Sequence, residues 1–204
     1  MAVVTVSRQF GAGGLTLGKQ LADRLGYTFY NDQILKLISD KAKVSQNWVK
    51  SIEREAGRKL HQAISSLMPK GIIDRILSDE QGYIDETIYI DLLRQVIIQL
   101  ADEGKAVILG RGGQYILKDR NDVFHVLLIA EKSYRTRFIE AKYKLSRASA
   151  EQVINAEDRR RKNLYRKFEK SDYDDAAHYH LTLNMSKLDL DQAIRMVCDM
   201  VMER

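Results

Sequence analysis

The 204-residue chain carries 33 lysines and arginines against 28 aspartates and glutamates, a formal charge of +5, with 45% hydrophobic and 30% charged residues. This composition fits a globular chain long enough for one cored domain with a small subdomain, and too mildly basic to be coated in nucleic acid. The single cysteine, Cys198, excludes an internal disulfide, and no cysteine/histidine cluster has zinc spacing. No apolar run reaches the roughly 18 residues needed to cross a membrane, and the strand-like start predicts no signal peptide, so a cytoplasmic protein is expected.

Taken in chain order, Ala2–Ser7 is apolar and β-branched, which predicts a strand buried on both faces. It leads into Gly11-Ala12-Gly13-Gly14, after which Leu15–Leu25 sets Leu17, Leu21 and Leu25 on one helical face before Gly26 stops it. A strand, a glycine-rich turn and a helix together build an anion-binding concavity, because backbone N–H groups converge at the positive end of a helix. The stretch comes close to the P-loop signature G-x-x-x-x-G-K-[ST], but Gly14 stands in the place of the lysine and Arg8 in that of the first glycine.

Tyr27–Tyr30 predicts a second strand, and Asn31-Asp32 opens a helix to about Lys43. Ser45 caps a further segment with Val49 and Ile52 on one side. Val44–Gly82, interrupted at Pro69-Lys70-Gly71, reads as a helical insertion. Ile84–Glu103 is a helix, Ala106–Leu109 a strand, and Gly110-Arg111-Gly112-Gly113 a second glycine-rich turn. Val123–Ala130 is the longest strand and Lys132–Leu145 a charged helix. Ser149 and Gln152 form a capping box for a basic helix to about Glu169, then His180–Leu183 is a last strand and Leu190–Met202 a closing helix with Cys198 in its core pattern. Strands separated by helices predict a three-layer α/β fold with a parallel sheet. Arg159-Arg160-Arg161-Lys162, followed by Arg166-Lys167, points to a local phosphate partner; a solvated helix face is the alternative, and Tyr165 reads as packing.

The chain resembles the cytidylate kinase-like proteins, a branch of the P-loop nucleoside monophosphate kinases. The resemblance rests on VTVSRQFGAGG at the start, YNDQIL near residue 30, VILGRGGQYIL at 107–117 and VFHVLLIAEKSYR at 123–135. It continues through DRRRKNLYRKF at 158–168 and YHLTLNMSKLDLDQAI at 179–194. It implies a core of residues 1–43 and 84–204, a monophosphate-binding insertion at about 44–83, and a lid at about 158–175 that is mobile without ligand. It also implies ATP and Mg2+ as cofactors. Gly11, Ala12, Gly13, Gly14, Leu15 and Thr16 would wrap the donor β-phosphate, with the Thr16 hydroxyl on magnesium. Arg111 would grip the acceptor monophosphate, Arg159 and Arg161 would close over the transferring group, and Asn184-Met185-Ser186 would lie near the donor base. Converging guanidinium groups suit phosphoryl transfer, which needs positioning and charge neutralisation.

Three positions depart from that pattern. Gly14 lacks the lysine, for which Arg8 is the candidate replacement and Lys19, more than a turn along the helix, a weaker one. Leu109 sits where an acidic residue often ends the strand, and Asn31 replaces an acid, leaving Asp32 to orient the acceptor or magnesium-bound water. The leading expectation is therefore an ATP-dependent nucleoside monophosphate kinase acting on CMP, dCMP or a related acceptor, with nucleotide partners, no stable nucleic acid or membrane partner, and a homodimer allowed. The alternative is a nucleotide-binding regulatory protein with weak turnover. A dinucleotide-binding oxidoreductase fits badly, because Thr16 holds the third glycine position of the Rossmann turn. Nucleic-acid binding lacks an aromatic stacking platform.

Overall fold

The structure, a computed structural model, describes residues 2–42, 86–168 and 175–203. The chain divides into two compact units, one of Met1–Asn31 with Ile97–Arg204 and one of Asp32–Val96. In the second unit the described elements are α2 (Gln33–Ala42) and the start of α3 (Glu86–Glu103). Ser39 in α2 donates its hydroxyl back to the Leu35 carbonyl at 2.7 Å, which satisfies a buried polar group inside the helix. The predicted insertion at 44–82, with the Ser45 cap and the Pro69 break, lies outside the described residues.

The first unit is built on five parallel strands: β1 (Val3–Arg8), β2 (Thr28–Tyr30), β3 (Ala106–Leu109), β4 (Val123–Ile129) and β5 (Leu181–Asn184). Their order is β2-β3-β1-β4-β5, with Val4 of β1 registered between Val107 and Phe124. β1 is central, and Val3, Val4, Thr5, Val6 and Ser7 are all buried, as a continuous β-branched run on a doubly covered sheet requires. On one face α1 (Gly14–Leu25) and the closing helix α7 (Leu190–Met202) place Leu17, Leu21, Ile194, Val197 and Cys198 in a core with Val4, Val6 and Leu128. The other face is more polar: Thr5 meets His125 at 2.7 Å, and Ser7 donates to Gln114 at 3.0 Å.

Several boundaries differ from the sequence reading for local reasons. The helix α5 (Lys132–Tyr143) stops where Lys144 takes φ +53°, two residues before the predicted Leu145. The basic helix α6 (Arg147–Tyr165) begins earlier than expected, because Ser146 is its cap and accepts from the Ser149 N–H at 3.3 Å; the Ser149–Gln152 box is not its start. It ends at Tyr165, short of Glu169. A box the sequence reading passed over, Asp189 with Gln192, caps α7 instead.

Candidate functional site

Reversal of strand order about β1 puts a crevice at the carboxyl ends of β1, β3 and β4, where open parallel sheets bind ligands. Both glycine turns open there. The first leaves β1 at Arg8 and reaches α1 through Gly11 at φ +86° and Gly13 at φ +81°. Gly13 is the N-cap of the 12-residue α1 and gives it no side-chain cap. Among the described residues no acceptor meets the N–H groups of Gly13, Gly14, Leu15 or Thr16, and the helix bonds begin with Leu17 N–H to the Gly13 carbonyl at 3.0 Å. Four open donors at the positive end of a helix form a cradle for an anion. Ala12 lies buried beneath the turn, while the Leu15 and Thr16 side chains are exposed.

The start of this turn is fixed by residues that the sequence reading left without a role. Phe10 donates its N–H to Asp158 at 3.0 Å, and Arg135 donates to the Phe10 carbonyl at 3.2 Å and to the other Asp158 oxygen at 2.6 Å. The Phe10 ring also packs with Ile139, Ala150 and Ile154, which ties the loop to α5 and α6. Gly11 is required because a Cβ there would press on the Arg135 backbone, 3.2 Å from its carbonyl oxygen, at a φ that side chains resist. Gln9 accepts the Ala130 N–H at 3.0 Å, joining the loop to the end of β4. Arg135 and Asp158 both stand inside quoted motifs, so the signal was present; only their pairing across 23 residues was invisible.

The second turn has a different construction. Gly110, Arg111 and Gly112 take φ +76°, +61° and +75° in succession, so Arg111 is held in a left-handed conformation that costs a non-glycine residue on the order of 1–2 kcal/mol. It opens only the four-residue helix α4 (Gly113–Ile116). Over it lie Tyr115, Tyr165, Phe168 and His178, with Tyr115 stacked on Phe168 at 6.2 Å and edge-on to Tyr165 at 6.0 Å.

The arginines converge unevenly. Arg161, buried in α6, sits over the Phe10 ring at 5.2 Å, and its Nη1 finds no hydrogen-bond partner among the described residues. Arg160 pairs with Glu157 at 3.0 Å. Arg8 is partly buried; its burial lowers the guanidinium from its usual value, as do the charges of Arg161, Arg111 and Arg160, while Tyr165 raises it, leaving it at about 9 and still cationic at neutral pH. Arg159 does not join this group. Two residues from Arg161 on a helix, it points elsewhere and lines a separate groove of about 390 Å³ with Asn155, Asp158, Lys162, Asn163 and Arg166. The basic helix is thus neither wholly a solvated face nor wholly a site.

Asn184 and Ser186 stand at the end of β5, in the same carboxyl edge. Asn184 Oδ1 accepts the Ser186 N–H at 3.0 Å, and the Ser186 hydroxyl accepts the Glu131 N–H at 2.7 Å, so both side chains hold this turn against the start of α5. Asp32 belongs to the other unit, where its carbonyl accepts the Leu35 N–H at 3.1 Å. Lys19 is exposed on α1. Among the described residues no group of three or more His, Cys, Asp or Glu side chains could hold a metal ion. Within Gly11–Thr16 the one hydroxyl that could reach a metal arriving with a polyphosphate is that of Thr16, one residue past the [ST] position of the P-loop signature, which Leu15 holds.

The sheet order, the open cradle and the converging arginines agree with what the sequence as a whole matches: residues 3–187 fit the profile of the cytidylate kinase-like family. The chain belongs to that family. Its fold is that of P-loop kinases. A protein of uncharacterized function from Eubacterium ventriosum shares it with a TM-score of 0.69 at 18% identity, covering 100% of both chains. Shikimate kinase from Bacteroides thetaiotaomicron is similar at TM-score 0.55 and 15% identity, over 100% of this chain and 99% of that one. Shikimate kinase from Acinetobacter baumannii, solved with shikimate, is similar at TM-score 0.50 and 16% identity, over 99% and 93%. No curated protein matches the chain. No helix among the described residues is long and apolar enough to cross a membrane.

Proposed function

We propose that this member of the cytidylate kinase-like family is an ATP-dependent phosphotransferase that carries the γ-phosphoryl group of MgATP to a nucleoside monophosphate, with CMP and dCMP the first acceptors to try. The observation that carries the reading is the cradle of four open N–H groups at the start of α1, placed beside Arg8 and the buried Arg161. Such a site neutralises several negative charges without a covalent role for the protein, which is what phosphoryl transfer demands.

In this reading Gly11 to Thr16 surround the donor β-phosphate, and the Thr16 hydroxyl reaches the magnesium that arrives with ATP. Arg111 holds the acceptor monophosphate through its planar fork, which explains why the chain tolerates a left-handed arginine there. A deprotonated phosphate oxygen of the acceptor forms the new bond to the γ-phosphorus. The bond from that phosphorus to the β,γ-bridging oxygen breaks, its electron pair leaves with ADP, and no proton has to move. Arg161, packed on Phe10, spreads positive charge over the transferring group. Arg159 lines the neighbouring groove and takes the outer part of the donor. Asn184 and Ser186 fix the turn after β5, which we assign to the side of the donor base.

The test is ADP release from MgATP, measured against a panel of nucleoside and deoxynucleoside monophosphates. Turnover that depends on one acceptor establishes the kinase and names its substrate. A second reading, a nucleotide-binding regulatory protein, is favoured by Gly14 at the lysine position; a flat panel from protein that still binds ATP would select it.

A further inference from the structure

We propose that Arg8 takes over the work of the missing P-loop lysine, laying its stem through the space above Gly14 and holding the terminal phosphate of MgATP with its guanidinium. The inference rests on the phosphotransferase reading and deepens it.

A Cβ built on Gly14 would lie 2.9 Å from Arg8 Cγ, 3.1 Å from Cδ and 3.2 Å from Cβ, so any side chain at position 14 would press on the Arg8 stem and make it shift. A lysine at 14 would displace the Arg8 stem from the place it now holds, so the bare Gly14 and the Arg8 path over it go together. At its far end, Arg8 Nη1 occupies the place a Cβ on Gly110 would take, with Cζ 3.4 Å and the Tyr165 hydroxyl 3.6 Å from that point. Both glycine turns are therefore hollowed to admit one side chain, which crosses from β1 over the cradle to the turn that carries Arg111.

Charge points the same way. Arg135 is met by Asp158, Arg24 by Asp191, and Arg160 by Glu157. Arg8 feels the charges of Arg161, Arg111 and Arg160, opposed by the Tyr165 phenol, and among the described residues no carboxylate pairs with it. A partly buried cation among cations is costly alone and is relieved by a multiply charged anion. Arginine suits the position better than a transplanted lysine would, since its fork reaches two phosphate oxygens from a rigid strand end. It moves no proton and stays charged throughout.

The experiment compares the wild type with Arg8→Met, Gly14→Lys and the double variant Arg8→Gly/Gly14→Lys. Binding of MgATP and MgADP is read by calorimetry, turnover by ADP release, and folding by circular dichroism melts. Methionine keeps the stem on Gly14 and removes only the charge. We expect Arg8→Met to melt near the wild type and to lose at least about 100-fold in kcat, as loss of one transition-state donor does. Its affinity for ATP should fall more than its affinity for ADP, a split that lost packing alone would not produce. Gly14→Lys should be as impaired, and the double variant, which rebuilds the lysine loop, should recover most of the loss. A folded Arg8→Met with unchanged ATP-over-ADP preference and turnover overturns this inference and leaves the kinase reading standing. A wild type that binds no MgATP overturns both.

Discussion

The two glycine turns look alike in sequence and differ in what they present. The first, Gly11 to Gly14, opens the 12-residue α1 and offers bare N–H groups. The second, Gly110 to Gly113, opens a helix of four residues and offers a side chain, Arg111, on a strained backbone. A long helix makes its N-terminus a useful positive pole; one turn does not, so a guanidinium supplies the charge there instead. Repeated glycine thus marks where backbone must turn sharply, whereas helix length and the residue between the glycines decide how an anion is met.

The sharpest way to break this contrast is to loosen the first turn from its support. Asp158→Ala removes the acceptor for the Phe10 N–H and leaves the largely buried Arg135 without its carboxylate. We expect a loss of about 3 kcal/mol in chemical denaturation, with ATP affinity falling as well. Gly11→Ala should cost about 2–3 kcal/mol, since it adds a close approach to the Arg135 backbone to the left-handed strain; Gly13→Ala, with nothing within 4 Å, should cost only about 1–2 kcal/mol. Equal losses at the two positions would show that strain alone governs the first turn.

The second turn should answer with the opposite sign. Arg111→Gly relieves a left-handed arginine and is expected to hold or raise stability, by up to about 1 kcal/mol, while the acceptor KM rises and kcat falls. A variant that is destabilised with unaltered kinetics would remove Arg111 from the site. A pH-dependent effect belongs to the polar sheet face beneath this turn, where the Gly113 backbone packs against Thr5. Burial, helped by the nearby His180, lowers His125 from its usual 6.5 to about 4. The unfolded chain therefore takes up this proton first: the contribution is complete above about pH 6.5 and is lost as pH falls towards 4. His125→Asn should flatten the pH dependence of stability in that window relative to the wild type.

Much of this was legible from residues alone. The order of strands and helices followed from apolar runs punctuated by Gly26, Gly104 and the two glycine turns, since local steric signals survive in a linear reading. The sharp turns at Gly11–Gly14 and at Gly110–Gly113 were readable for the same reason. The cap of α6 went to Ser149 because two serines three residues apart both satisfy the local pattern, and only geometry selects Ser146. The clamp of Asp158 and Arg135 on Phe10 depends on α5 and α6 pairing side by side, which no local period encodes. Arg159 and Arg161 looked equivalent in a run of four cations, yet their separation on a helix sends one to a groove and buries the other.

The most direct test of the account is a crystal structure with magnesium and a non-hydrolysable ATP analogue. The account predicts the β-phosphate within hydrogen-bond distance of the N–H groups of Gly13 to Thr16, and the γ-phosphate against the Arg8 guanidinium. A triphosphate lying instead along the Arg159, Lys162 and Arg166 groove, with the cradle and Arg8 untouched, would contradict it.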